Sequence, residues 1–188
     1  MSEAKKNKIL AAARSVFLRY GFRRVTMNDI AEAAGVSRPA LYLLFKSKEE
    51  IFIGVYLQWV DETLAEVERT MATATTSERK LERAFEIWTV LPFEVMMNSP
   101  EAKELIECSL GFAQDALSQG YRKFESRIVP VLAALTKKHS AKASLTPERI
   151  AHVLASAVRG FKQTATTSTE LRRLIKELLT LSLSFSVD

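Results

Sequence analysis

The 188-residue chain has one cysteine, Cys108, six glycines, five prolines and two histidines. One cysteine excludes an intrachain disulfide and fits a reducing compartment. With so few glycines and prolines, turn-rich all-β architectures are disfavoured. Two histidines and one cysteine without paired spacing give no metal-ligand set, so neither His139 nor His152 is read as a ligand. There is no Gly-rich phosphate loop, no G-x-S-x-G and no H-E-x-x-H, so no catalytic residue and no cofactor is assigned. No apolar run is long enough to span a bilayer, and the start, MSEAKKNK, lacks the apolar stretch of a signal peptide. The expectation is a cytoplasmic protein that is not an enzyme.

Ala, Leu, Glu, Lys and Arg are abundant, and 47% of the residues are hydrophobic. These proportions point to an all-α protein with ample core. Its formal net charge is +5. Residues 1–50 hold ten Lys and Arg against five Asp and Glu, while residues 51–188 hold seventeen of each. The whole surplus therefore lies in the first quarter, where a basic excess attracts a phosphate backbone. Lys5, Lys6 and Lys8 are equally compatible with a solubilising tail; Lys46 and Lys48, beside the turn described next, are read as phosphate contacts.

Residues 26–50, TMNDIAEAAGVSRPALYLLFKSKEE, read as two short helices joined by a tight turn. Thr26 caps the first, with Asp29 three residues on, and Ile30, Ala31 and Ala34 form its apolar side. Gly35 suits a left-handed helix end. Ser37 caps the second helix, and Pro39 is tolerated in its first turn, where amides lack intrahelical partners. Leu41 and Leu44 or Phe45 turn inward, leaving Arg38, Ala40, Tyr42 and Leu43 outward. Ser47 and Glu50 cap a third helix. Helices this short do not form alone, so the pair reads as a helix-turn-helix presenting its second helix to a DNA major groove.

The pattern from Ile9-Leu10-Ala11-Ala12-Ala13 through Phe17, Tyr20-Gly21-Phe22 and Val25-Thr26 to Ala33-Ala34-Gly35-Val36-Ser37, Leu41-Tyr42, Phe45 and Lys48-Glu49-Glu50 resembles the DNA-binding domain of TetR-family transcriptional regulators. The resemblance covers about residues 8–57. It implies a DNA-binding domain over residues 1–47 and an antiparallel helical ligand-binding and dimerisation bundle over 48–188. It further implies a homodimeric repressor released from a palindromic operator by a small-molecule effector. Candidate DNA contacts are Thr26, Ser37, Arg38, Pro39, Ala40, Tyr42, Leu43, Lys46 and Lys48. Leu43 and Leu44 replace the aromatic or polar residues frequent in the family, leaving fewer hydrogen bonds for base readout.

Beyond residue 50, Ser99-Pro100, Thr146-Pro147 and Thr167 with Glu170 mark helix starts. A helix over 77–97 is expected to be interrupted near Pro92, and one ending near Lys138 to bend at Pro130. The last two helices carry an apolar stripe that Leu181, Leu183 and Phe185 extend around a second face, so one partner cannot cover it. Val153, Ala157, Gly160, Leu171, Leu174, Leu178 and Leu181 are the expected dimer interface. Trp59, Phe85, Trp88, Met96, Met97, Cys108, Phe112 and Phe161 are candidates for an apolar ligand pocket, with Gln114, His152 and Gln163 to orient a ligand. The competing reading is a helical dimer whose basic end binds RNA or protein.

Overall fold

The computed structural model describes residues 3–138 and 145–184. Its elements, in order, are α1 (Glu3–Tyr20), α2 (Met27–Ala34), α3 (Arg38–Tyr42), α4 (Lys48–Ala72), α5 (Ser77–Phe85), a π-helical turn (Glu86–Val90), α6 (Leu91–Asn98), α7 (Pro100–Phe112), α8 (Gln114–Lys138), α9 (Pro147–Thr164) and α10 (Ser168–Ser184). The fold is all-α. His139 and Phe185 lie outside the described residues.

The caps expected from sequence are in place. The hydroxyls of Thr26, Ser37, Ser99 and Thr146 accept the backbone N–H three residues on, satisfying donors that a helix start leaves open. Ser47 and Thr167 do the same for Glu50 and Glu170. Gly35 ends α2 with φ 62°, and its N–H returns to the Ala31 and Glu32 carbonyls. The interruption before Pro92 takes a definite form. Proline lacks the N–H and crowds the carbonyl four residues back, and the widened turn at Glu86–Val90 absorbs both defects. Pro130, by contrast, sits inside α8, which runs on without a break.

Two compact units result. The first comprises Met1–Asp61 with Met96–Ser118, the second Glu62–Val95 with Gln119–Asp188. The first thus takes in the whole of residues 1–47 and adds the start of α4 and all of α7. Its core includes Ile9, Ala13, Phe17, Ile30, Leu41, Phe45, Ile51 and Phe52, drawn from each of the first four helices. Phe22, Phe52 and Phe112 pack ring against ring, with centroids 5.0 to 5.5 Å apart, and such pairs add about 1 kcal/mol beyond area burial.

In the second unit, Leu81, Phe85, Phe124, Ile128, Leu154 and Leu171 are fully buried. Trp88 stacks on Phe124 at 4.9 Å and meets Tyr121 edge-on at 5.8 Å. Arg172 of α10 spans the break between α5 and α6. It binds Glu86 through Nε and Nη2, at 3.0 and 2.8 Å, and Glu94 through Nη2, at 2.8 Å.

Candidate nucleic-acid interface

The first unit presents a short helix whose outward side is open. Leu41 is fully buried and Phe45 nearly so, whereas Leu43 is 75% exposed and Tyr42 43%. Arg38 and Pro39 are exposed, and Ala40 is half-buried. One face of α3 therefore anchors it and the other offers Arg38, Tyr42 and Leu43. The Arg38 guanidinium lies over the Tyr42 ring, 5.6 Å from its centroid, one helical turn along. That contact narrows the freedom of a long side chain before any partner arrives.

The hydroxyls beside this face differ in what they can still do. Thr26 donates its O–H to Asp29 Oδ2 at 2.8 Å and accepts the Asp29 N–H. Its donor is spent inside the capping box, so what α2 offers an anion there is backbone N–H and helix dipole. The Thr26 N–H and hydroxyl also hold the Asp29 carboxyl below its usual range. Ser37 accepts the Ala40 N–H at 3.3 Å, which leaves its own O–H free to donate.

Cations surround the helix pair. Arg23, Arg24 and Lys46 are exposed. Lys5, Lys6 and Lys8 belong to the first turns of α1 and are not a trailing segment. The Lys8 ammonium lies 3.6 Å from where a Cβ on Gly35 would stand, so it reaches the turn between α2 and α3. Lys48 is placed differently from the expectation of a free phosphate contact. Its ammonium donates to the Phe22 and Val25 carbonyls at 2.7 and 2.8 Å and lies 4.3 Å above the Phe22 ring. Two of its three donors are thus committed within the fold.

Three residues of this region were not among the sequence candidates. Arg23 and Arg24 stand three and two residues before the Thr26 cap, a signal that was available. Glu104, on α7, accepts the Arg23 backbone N–H, a pairing across 81 positions that no local pattern reveals.

The ligand candidates fall into two groups. Phe85 and Trp88 are buried and Phe161 half-buried in the second unit; Trp59, Met96, Cys108 and Phe112 are half-buried in the first, where Met97 is 52% exposed. Phe112 fills the core beside Phe22 and Phe52. Two spaces in the second unit are lined by none of these eight. One is a void of about 20 Å³ between Leu81, Leu132, Ile150 and Leu179. The other is an open groove of about 200 Å³ beside Glu86, Arg172 and Lys176. Of the polar candidates, the Gln114 amide donates to the Leu110 carbonyl and His152 Nδ1 lies 3.2 Å from Glu125 Oε1.

The expected interface residues of the last two helices divide by burial. Val153 and Leu181 are 43% and 56% exposed, and a Cβ on Gly160 would meet nothing. Ala157, Leu174 and Leu178 are half-buried, while Leu171 is fully buried. Leu171 is therefore core within the unit. Among the described residues no helix is long and apolar enough to cross a membrane.

Comparison with known proteins agrees with the geometry of the first unit. The sequence profile of the family described as "Bacterial regulatory proteins, tetR family" matches residues 9–55. The chain is 34% identical over 84 residues to the HTH-type transcriptional activator FasR of Mycolicibacterium smegmatis, a match covering 45% of this chain and 38% of FasR. It is 45% identical over 62 residues to the HTH-type transcriptional regulator RutR of Escherichia coli, covering 33% of this chain and 29% of RutR. Both matches span well under half the length of these curated relatives. Over 95% of this chain and 93% of the other, the fold is similar to that of Thermus thermophilus FadR, a TetR-family repressor solved with lauroyl-CoA, at TM-score 0.67 and 21% identity. It is the helix-turn-helix segment, residues 9–55, that matches the tetR family of bacterial regulatory proteins.

Proposed function

We propose that the protein is a sequence-specific DNA-binding transcriptional regulator that acts in the cytoplasm as a homodimer on a palindromic operator. The observation that carries this reading is α3, anchored by Leu41 and open on the side of Arg38, Tyr42 and Leu43. Residues 1–47 supply the DNA-binding part. Arg38 reads a base edge, and Leu43 supplies apolar contact to thymine methyls. Tyr42, Lys46, Ser37 and the α2 N-terminus beside Thr26 contact phosphates, while Pro39 and Ala40 let the helix approach closely. Lys48 adds its remaining N–H and, more importantly, holds the turn before α2.

Residues 48–188 take the effector and the second subunit. Val153, Ala157, Gly160, Leu174, Leu178 and Leu181 form the dimer face. A small molecule bound in the bundle releases the protein from DNA, so it acts as a repressor. Acyl-CoA esters are the effector class to test first, because a fold neighbour was solved with one.

Selection of bound sequences from a random DNA pool tests the reading. An inverted repeat, with half-sites about 34–36 Å apart or a multiple of that, is the expected product. Enrichment of no sequence, with binding that merely follows salt, would reject it.

A further inference from the structure

The reading helix takes its bearing from a turn that precedes it by some fifteen residues. Residues 21–25 join α1 to Thr26 and so fix where α2 begins, and α2 passes that placement to α3 through Gly35. The turn starts with Gly21 left-handed at φ 78°, its N–H closing on the Phe17 carbonyl at 2.9 Å. N–H groups of the turn beyond that bond lie outside the helical ladder and must find partners elsewhere. For Arg23 that partner is Glu104 Oε1, at 2.7 Å. The carboxylate is seated against the turn. A Cβ on Gly21 would lie 2.9 and 3.0 Å from its two oxygens. Gly21 is therefore required for its φ, and its missing Cβ leaves the carboxylate room to sit against the turn.

The same helix touches the turn again. Phe112, eight residues after Glu104 on α7, stacks on Phe22 with centroids 5.0 Å apart. Positions eight apart share one helix face. From α4, Lys48 holds the carbonyls of Phe22 and Val25. Carbonyls are thus gripped by a cation and an N–H by an anion, each the stronger, charge-assisted kind of hydrogen bond.

We propose that Glu104 is a positioning residue for DNA recognition: its carboxylate, carried by α7, latches the turn between α1 and α2 and so sets the start of α2. This rests on the DNA-binding reading above. A carboxylate suits the place, since it accepts the Arg23 N–H more strongly than a neutral acceptor would.

The test uses the full chain, with two readouts on Glu104→Ala and Glu104→Gln. Residue-resolved amide exchange of Arg23 should quicken roughly tenfold in the alanine variant, the cost of one bond to a charged group. Affinity for the selected operator should fall by a similar factor with an unchanged salt slope, because no phosphate contact is lost. Glutamine keeps an acceptor and should restore much of both. An unchanged Arg23 amide, or faster exchange with unaltered DNA affinity, overturns the proposal. So does a glutamine variant as impaired as alanine whose melting temperature falls in parallel, which is what a merely structural role would give. A wild-type chain that selects no DNA removes the regulator reading and this role together, whereas selective binding indifferent to Glu104→Ala removes only the latch.

Discussion

The Lys48 ammonium donates to the carbonyl oxygens of Phe22 and Val25, at 2.7 and 2.8 Å, from the first residue of α4. A lysine that sequence alone assigns to phosphate is engaged instead in closing the turn ahead of α2. The distinction has consequences that can be measured.

Lys48→Met keeps an unbranched side chain and removes the charged donor that lies over the Phe22 ring. It should lower unfolding stability by about 1–2 kcal/mol, since two carbonyls lose a charged donor at a half-buried site. DNA binding should weaken for all sequences alike. The slope of log K against log salt should change by less than one unit, because a single remaining N–H gives at most one phosphate contact. A loss of one full unit at unchanged stability would return Lys48 to the phosphate contacts.

Arg38 is the side chain expected to discriminate. It sits at the start of α3, capped by Ser37, and lies over Tyr42. A guanidinium there can bond guanine O6 and N7 together. Arg38→Ala should cost about 1–3 kcal/mol per half-site and relax preference at one guanine. Tyr42→Ala should also blunt that preference, by freeing the guanidinium it supports, while Tyr42→Phe should not. Operators reselected with Arg38→Ala decide the matter: the same consensus bound more weakly makes Arg38 a backbone contact.

What sequence showed here was local. Thr26 with Asp29, Gly35, Ser37, Ser99-Pro100 and Thr146-Pro147 each announce a helix boundary through chemistry completed within three or four residues. The apolar spacing of Ile30, Ala34 and Leu41 likewise tells which face is buried. The misses are long-range. Glu104 meets Arg23 only because α7 packs against α1, and Lys48 turns inward because the carbonyls of Phe22 and Val25 end up beside it. Phe112 reads from sequence as one more large side chain suited to a pocket, and its role as the fourth ring of the Phe17, Phe22 and Phe52 cluster depends on the same packing. Leu171 counted with the interface stripe because helical periodicity cannot separate a face covered by the same chain from one covered by another.

Acid should loosen the second unit. Hydrogen bonds from Ser168 first, and from Arg172 next, hold the Glu94 carboxyl below its usual range. A depressed folded pKa contributes stability that is full above the ordinary carboxylate value and is lost as pH falls through the lower folded one. The melting temperature should therefore be flat near neutrality and decline below about pH 4.5, the group's ordinary value. Glu94→Gln should flatten part of that decline and lower the plateau. A variant with the wild-type acid profile would show that Glu94 does not couple to folding.

The dimer face yields the last expectation. Val153 and Leu181 are among the exposed large apolar residues of α9 and α10, and Gly160 leaves room for another backbone to come close. A glutamate at either exposed site costs the monomer little, because it stands in water there. Buried between subunits, the same glutamate would be an unpaired charge at a desolvated contact, a strongly unfavourable placement. Val153→Glu and Leu181→Glu should thus stay helical and melt near the wild-type temperature, yet sediment as monomers. Leu178→Glu is the weaker probe, since Leu178 is already half-buried within its own unit and its loss confounds folding with assembly. Two half-sites bound by one dimer gain from linkage, the second arriving at a high effective concentration. The monomeric variants should therefore keep weak binding to a single half-site and lose the tight binding of the inverted repeat. Dimers of normal stability in both variants would place the interface elsewhere, and a monomer that still grips the full operator tightly would show that two-fold symmetry is not how this chain reads DNA.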